Sequence, residues 1–454
     1  MPRHRYREIS GWTFLIMVMF SPFSSGTPGM RAEKAPPSPA SKVVIEPPLR
    51  LQELLQELIQ SNPELQAARK RYEAALTRPA QESALPDPRI SASWISNGPP
   101  YPGAGLGVEP TSNVGIQVAQ EIPFPGKRAL KGGMAQKQAD SQAQSIRGLE
   151  LDLIAQLKED FYDLCFTYES LDFIREKQAL LRQLAQAAEI RYSTGEGIQQ
   201  DIIRASTEIL ILENRTVALE QKKLTLNAQI LALVNRPPDA DLSRPEPISD
   251  LPALEPFDSV QSRALESSPM LGAQRALIDN QQLNVQSAQK AYYPDFDVMG
   301  GYYNQGVLKP MWEFKVQVNI PLYFWKKQRS GLEEAVATLA GAQREYRSQE
   351  QTLNASLRAR YLAAQAARKL MDLYSEQIVP STQLALESSL ASYQTGKLDF
   401  LSVLTNFNTI LDYQLAYYEQ RAEYLKAVSR LEELMGGAAS GSGSTSGSSG
   451  EVRR

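Results

Sequence analysis

The chain has 454 residues and a formal net charge of −3, with 48 Lys and Arg set against 51 Asp and Glu. The charges are interspersed, and no basic stripe interleaved with aromatics offers a face to nucleic acid. One histidine, His4, and one cysteine, Cys165, leave no disulfide, no histidine-based triad and no Cys or His metal cage to build.

The chain opens as a secretory signal. Arg3, Arg5 and Arg7 precede an apolar core from Trp12 to Phe20, and small residues at Ser24, Ser25 and Gly26, or at Ala32, offer cleavage points. The core is too short for a stable anchor, with an uncleaved anchor as the alternative, and no cysteine follows it to carry a lipid. The expected signal peptide covers residues 1–31, and the Pro-rich residues 32–48 read as an extended linker. No later segment reaches about 18 uninterrupted apolar residues, so residence in a membrane would require β-strands.

The first folded repeat is expected over residues 49–243. Leu51, Leu54, Leu55, Leu58 and Ile59 recur at helical spacing, Asn62-Pro63 interrupts, and Leu65, Ala68, Tyr72 and Leu76 resume the helix until Pro86 and Pro88. Residues 89–97 and 113–122 alternate as strands on either side of a loop dense in glycine and proline. Residues 129–235 then run helically without proline and break once, at Gly195-Glu196-Gly197. That pattern predicts a hairpin of helices of roughly 60 and 40 residues, the longer about 90 Å. Such helices need lateral partners along their reach, and Leu153, Leu157, Phe161, Leu164, Tyr168 and Leu171 form one packing stripe. Cys165 beside them reads as a small buried hydrophobe. A plain coiled-coil rod would show the same stripe.

The second repeat, residues 244–436, restates this plan. Ser267-Ser268-Pro269 answers Ser61-Asn62-Pro63, Pro294-Asp295 answers Pro86-Asp87, Asn319-Ile320-Pro321 answers Glu121-Ile122-Pro123, and Tyr393-Gln394-Thr395-Gly396 answers Tyr192-Ser193-Thr194-Gly195. The offsets drift only between about 198 and 208 residues, which marks a duplicated half-protein rather than a short solenoid unit. Strands are expected at 295–304 and 312–321 and a hairpin at 328–435, with Pro380 inside it and its turn at Gly396. Trp312, Phe314, Val316, Val318 and Ile320 share one face of the last strand; Glu313, Lys315, Gln317 and Asn319 share the other. A membrane-spanning barrel strand requires this alternation, and a half-buried strand of a soluble sheet shows it too. Four strands cannot close a membrane barrel alone, so a barrel must be pooled among copies, and three copies would give twelve strands. Residues 437–454 form a Gly/Ser-rich tail.

The signal, the duplicated helix, strand pair and long hairpin, and the two Tyr-x-x-Gly turns resemble TolC-type outer-membrane efflux proteins over about residues 49–436. Leu85-Pro86-Asp87-Pro88 and Gln120-Glu121-Ile122-Pro123-Phe124-Pro125-Gly126-Lys127-Arg128 look most like the heavy-metal-export, CusC/CzcC-like branch. The resemblance implies a fold that is mostly α with a membrane β-barrel part: a homotrimer with a 12-stranded barrel in the outer membrane of a Gram-negative-type cell and a helical barrel in the periplasm. It implies a periplasmic adaptor and an inner-membrane RND-type pump as partners, besides outer-membrane lipid and the chain itself.

The resemblance also places the hairpin turns, with Gly195, Gly197, Gly396 and Lys397, at the periplasmic tip where an adaptor docks. Asp201 and Asp399 then become candidate gate and selectivity carboxylates, since acidic rings at a constriction favour cations. They equally fit helix caps or first-turn residues after the turns. Tyr192 and Tyr393 either close the gate or pack the hairpin ends. Pro125-Gly126 and Trp325-Lys326 read as exits from strand to helix. Lys127-Arg128 and Lys326-Lys327-Arg329 read as solvated charge, or as partners for lipid phosphates or acidic neighbours.

The expected function is a passive export duct for metal cations or small toxic compounds, without cofactor and not an enzyme. The chain carries no phosphate-binding loop and no catalytic constellation, and its methionines (Met134, Met270, Met299, Met311, Met371) are dispersed. The duct of a type I protein-secretion system, and a soluble periplasmic coiled-coil scaffold or adaptor, are the alternatives.

Overall fold

The computed structural model describes residues 48–97, 100–249 and 251–437. The expected signal peptide, the linker up to residue 47 and the tail from residue 438 lie outside the described residues. The described chain runs α1 (Leu51–Ser61), α2 (Pro63–Ser83), β1 (Arg89–Ile95), β2 (Asn113–Ile122), α3 (Lys127–Ser193), α4 (Gln199–Leu233), and then repeats as α5 (Phe257–Ser267), α6 (Pro269–Lys290), β3 (Asp295–Asn304), β4 (Met311–Asn319), α7 (Lys327–Leu373), α8 (Val379–Gln394) and α9 (Phe400–Leu434). No described helix is long and apolar enough to cross a membrane.

The short helices of each repeat break at a proline. Asn62 caps α2, its side chain accepting from the Leu65 N–H at 3.0 Å, and Pro63 takes the first helical position, where its missing N–H costs nothing. The break also seats the end of the repeat's own long hairpin. Ser61 Oγ donates to the Val234 carbonyl at 2.7 Å, and its counterpart Ser267 donates to the Met435 carbonyl at 2.9 Å. Each carbonyl belongs to the residue that ends the hairpin's return helix.

The long helices lie side by side, with α3 between α4 and α9 and with α9 meeting α7 and α8 on its other flank. Leu153, Leu157, Phe161, Leu164 and Leu171 are buried along α3. Cys165 is buried with them, and burial pushes its thiol up to about 12, so it stays a neutral packing group. Across the α3–α9 seam, Arg430 donates to Glu159 at 2.6 and 2.8 Å, and Lys426 lies 3.2 Å from Asp163. The outer flank of α4 differs: Ile203, Leu210, Val217 and Leu224, seven residues apart, are all exposed, Val217 at 64%.

One stretch departs from the expected single break per hairpin. Residues Tyr374–Ile378 form a π-helical turn between α7 and α8 without ending the rod. Pro380 has no N–H to return to the Glu376 carbonyl, and a wider turn is how a helix absorbs such a gap.

The four strands form one antiparallel sheet in chain order, leaving β1 and β4 with a free edge each. The registers place Ile90, Trp94, Val114, Ile116, Val118, Val298, Val316 and Val318 on one face. That face stands open, with Trp312 79% and Phe314 77% exposed. The other face carries polar contacts: Arg89 reaches Asp297 at 3.2 Å, Asn319 donates to Asp297 at 2.8 Å, and the Tyr303 hydroxyl meets Glu313 at 2.6 Å. A soluble sheet buries its apolar face against a second layer. Here nothing in the described chain covers it.

Candidate functional site at the hairpin tips

Both hairpins reverse through the same cap. After α3, the Gly195 N–H bonds the Tyr192 carbonyl at 3.1 Å and the Glu196 N–H bonds the Arg191 carbonyl at 2.8 Å. After α8, Gly396 bonds Tyr393 at 3.0 Å and Lys397 bonds Ser392 at 2.9 Å. This is the Schellman arrangement, in which the residue past the cap turns left-handed. Gly195 and Gly396 sit at φ 79° and 73°, a region that side chains with a Cβ resist.

The turns hold α4 and α9 so that their first residues face each other. Asp201 is the third residue of α4, and Asp399 is the N-cap of α9. Asp399 bonds the Ser402 hydroxyl and caps no backbone N–H with its side chain. Burial raises the Asp201 carboxyl above its usual range and the Asp399 charge pushes the same way, against Arg204 and Arg191.

Arg191 ties the two tips together. Its guanidinium donates to the Tyr393 carbonyl at 2.7 Å and lies 4.9 Å from the centre of the Tyr393 ring. Tyr393 is 5% exposed and packs edge-on against Phe400, with ring centres 5.7 Å apart. Beneath it lie Leu181, Leu184, Ala205, Leu386 and Val403. Burial also holds the Tyr393 phenol protonated beyond its usual range, opposed by Arg191 and aided by Asp201.

Asp201 and Tyr393 thus gather around Arg191, with Asp399 near Asp201, while Tyr192 is 48% exposed and stays outside the cluster. Gly195, Gly396 and Lys397 are exposed on the turns, and Gly197 is half-buried against the end of α3. Sequence reasoning gave Arg191 no role. The available signal was asymmetry, because Ser392 stands where the first turn has Arg191. Between α3 and α8 an open groove of about 340 Å³ is lined by Leu180, Leu184, Ile190 and Leu390. Among the described residues, no three His, Cys, Asp or Glu side chains are grouped to hold a metal ion.

A family model describing outer membrane efflux proteins matches residues 54–236 and again residues 260–437. The chain belongs to the outer membrane efflux protein family. This efflux protein is 22% identical over 392 residues to the cobalt-zinc-cadmium resistance protein CzcC of Cupriavidus metallidurans, covering 86% of this chain and 90% of that one. The solved outer-membrane channel OprN superposes with a TM-score of 0.74 at 16% identity, over 86% of this chain and 90% of that one. CusC, solved as a transmembrane channel, gives 0.72 at 15% identity, over 86% and 92%. The TolC-type fold expected from the repeat is the fold of this efflux protein, and its likeness to CzcC falls in the heavy-metal branch that residues 120–128 resemble. OprN and CusC are both described as channels.

Proposed function

We propose that this family member is the outer-membrane channel of a tripartite efflux system, a passive trimeric duct that carries metal cations or small toxic compounds outwards. The observation that carries this reading is the four-stranded sheet with both edges unpaired and its apolar face open, from Ile90 and Ile116 to Trp312 and Phe314. In water such a sheet would aggregate, whereas in a bilayer three copies close it into one barrel with the apolar face toward lipid. The open stripe on α4 supports the same assembly lower down.

Energy comes from an inner-membrane RND-type pump linked by a periplasmic adaptor that contacts the exposed turns and the groove beside them. Opening is an outward swing of the tips that parts Arg191 from Tyr393, biased by adaptor contacts. Asp201 and Asp399, repeated in three copies, favour cations at the entrance. The name of the relative CzcC supports divalent metals as cargo.

The test is a deletion strain complemented with the full chain and challenged with cobalt, zinc and cadmium salts and with organic toxicants, alongside fractionation of its membranes. The proposal expects the chain in the outer membrane and restored metal resistance. Recovery in the soluble periplasm, or membrane insertion with export of a protein alone, would sink it.

A further inference from the structure

Lys127 and Lys327 each open a long hairpin as the first residue of α3 and of α7. A cation in the first turn of a helix faces the positive end of the macrodipole and is unfavourable unless an anion neutralises it. Lys127 has that anion. Its Nζ lies 2.9 Å from both carboxylate oxygens of Asp295, and Asp295 Oδ1 also accepts from the Phe124 N–H at 2.7 Å. Asp295 can reach because it begins β3, the strand that pairs with β2 just before β2 runs into α3.

At the other hairpin the same position is bare. Lys326, Lys327 and Arg329 crowd the start of α7 in exposed positions. Glu333 pairs with Arg329 at 2.9 Å, and among the described residues no carboxylate pairs with Lys326 or Lys327. The strand leading there, β4, has nothing along its outer edge. The repeat names what is missing: Pro86-Asp87 is the counterpart of Pro294-Asp295, Asp87 is exposed, and β1 beyond it has the other free edge.

The β2–β3 register can be carried over to β4 and β1 through the same landmarks. Gln120 opposite Val298, Val118 opposite Gly300 and Ile116 opposite Tyr302 become Val318 opposite Ile90, Val316 opposite Ala92 and Phe314 opposite Trp94. Every transferred pair keeps apolar against apolar on the open face. A slip of one residue would reverse the faces, so this agreement is an independent check.

We propose that β1 of a second copy pairs with β4 in this register, and that Asp87 of the second copy is the carboxylate that neutralises Lys327. The inference rests on the trimeric reading above and names the ionic latch that locks each seam. It also covers the apolar concavity beside Lys327, lined by Tyr292, Pro294 and residues 320–325. There Leu85 of the second copy takes the place that Tyr293 holds on Phe124, where the rings stack 4.5 Å apart.

The experiment uses the full chain purified from membranes and measures trimer dissociation on heating by native electrophoresis. Lys327→Glu and Asp87→Lys are each expected to weaken the trimer, on the order of tenfold per seam for a close interfacial pair, and the double reversal to restore it. Val318→Cys with Ile90→Cys, bridged by a short thiol cross-linker, should link copies into covalent trimers, while a pair shifted by one residue should not. Three outcomes would overturn the latch while leaving a trimer intact: additive single effects without rescue, cross-linking in a shifted register, or sensitivity at Lys327 with none at Asp87, which would point to a lipid phosphate. A wild-type chain that forms no trimer would instead overturn the reading on which the latch rests.

Discussion

Asp201 and Asp399 each follow a glycine turn but are not counterparts, since the offset that pairs Tyr192 with Tyr393 sets Ser402 opposite Asp201, and the fold gives the two carboxylates different work. Asp201 is half-buried beside the Arg191–Tyr393 tie, and Asp399 stands exposed at a helix cap. The raised Asp201 carboxyl takes up its proton at a higher pH than an ordinary aspartate near 3.9. Its negative charge is therefore lost earlier on acidification than that of an ordinary aspartate. In planar bilayers, cation preference is expected to fall as pH drops from 7 toward the carboxylate range, as read from reversal potentials. Asp201→Asn should start with lower preference and lose most of that pH dependence; an unchanged pH profile would remove Asp201 from the proposed gate. Tyr192 and Tyr393 carry the same lesson. The motif predicts two like tyrosines, but Arg191 covers one of them and its counterpart Ser392 is too short to cover the other.

At the scale of elements, four helix ends use one device. The returns of both hairpins, at Asn235 and Gly436, repeat the Schellman bonds of the turns: Arg236 N–H to the Leu231 carbonyl at 2.9 Å, and Gly437 N–H to Glu432 at 2.9 Å. Asn235 adopts φ 58° with a side chain, whereas Gly436 at φ 84° has no room for one, since a Cβ there would lie 2.4 Å from the Ser267 carbonyl oxygen. Gly436→Ala should cost about 2 kcal/mol or more in chemical unfolding, from left-handed strain plus displacement of the Ser267 seat. Asn235→Gly should stay within about 1 kcal/mol. Equal costs would refute the packing argument. Much of this level was legible beforehand. The alternation at Trp312, Phe314, Val316 and Val318 is the open face of β4, and the stripe from Leu153 to Leu171 is the buried line of α3. Periodicity reports which face wants burial. It does not report which helix supplies it, so the α3–α9 seam and the Lys127–Asp295 pair were not legible, both being contacts between halves of the chain.

For the whole molecule, the duplication assigns partners to surfaces that one copy leaves bare. Ile203, Leu210, Val217 and Leu224 of α4 correspond to Leu404, Leu411, Tyr418 and Leu425 of α9, which are buried or half-buried in the chain's core. Within the chain Tyr418 meets Phe173 of α3, ring centres 6.1 Å apart, so Val217 should meet the α7 counterpart Leu373 of another copy. Burying such side chains stabilises by about 1.5–3 kcal/mol each before ordering costs. Leu210→Gln with Val217→Gln should therefore leave helical content unchanged by circular dichroism while shifting the protein from trimer to monomer in sedimentation. A stable trimer carrying both changes would show that the stripe faces something else.

The π turn at Tyr374–Ile378 explains how two hairpins of unequal length keep the same packing faces. Below it, buried counterparts stand 200 apart, as Leu153 and Leu353, Leu157 and Leu357, or Leu171 and Met371 do; above it they stand 201 apart, as Ala188 and Ser389 do. The second hairpin holds one residue more than the first, and the turn is where that residue is stored. In an unbroken α-helix a single insertion would rotate everything beyond it by about 100°, carrying Leu386 and Tyr393 out of the core. The wide turn swallows the insertion and restores phase, so the tip of this hairpin keeps the facing that its base sets.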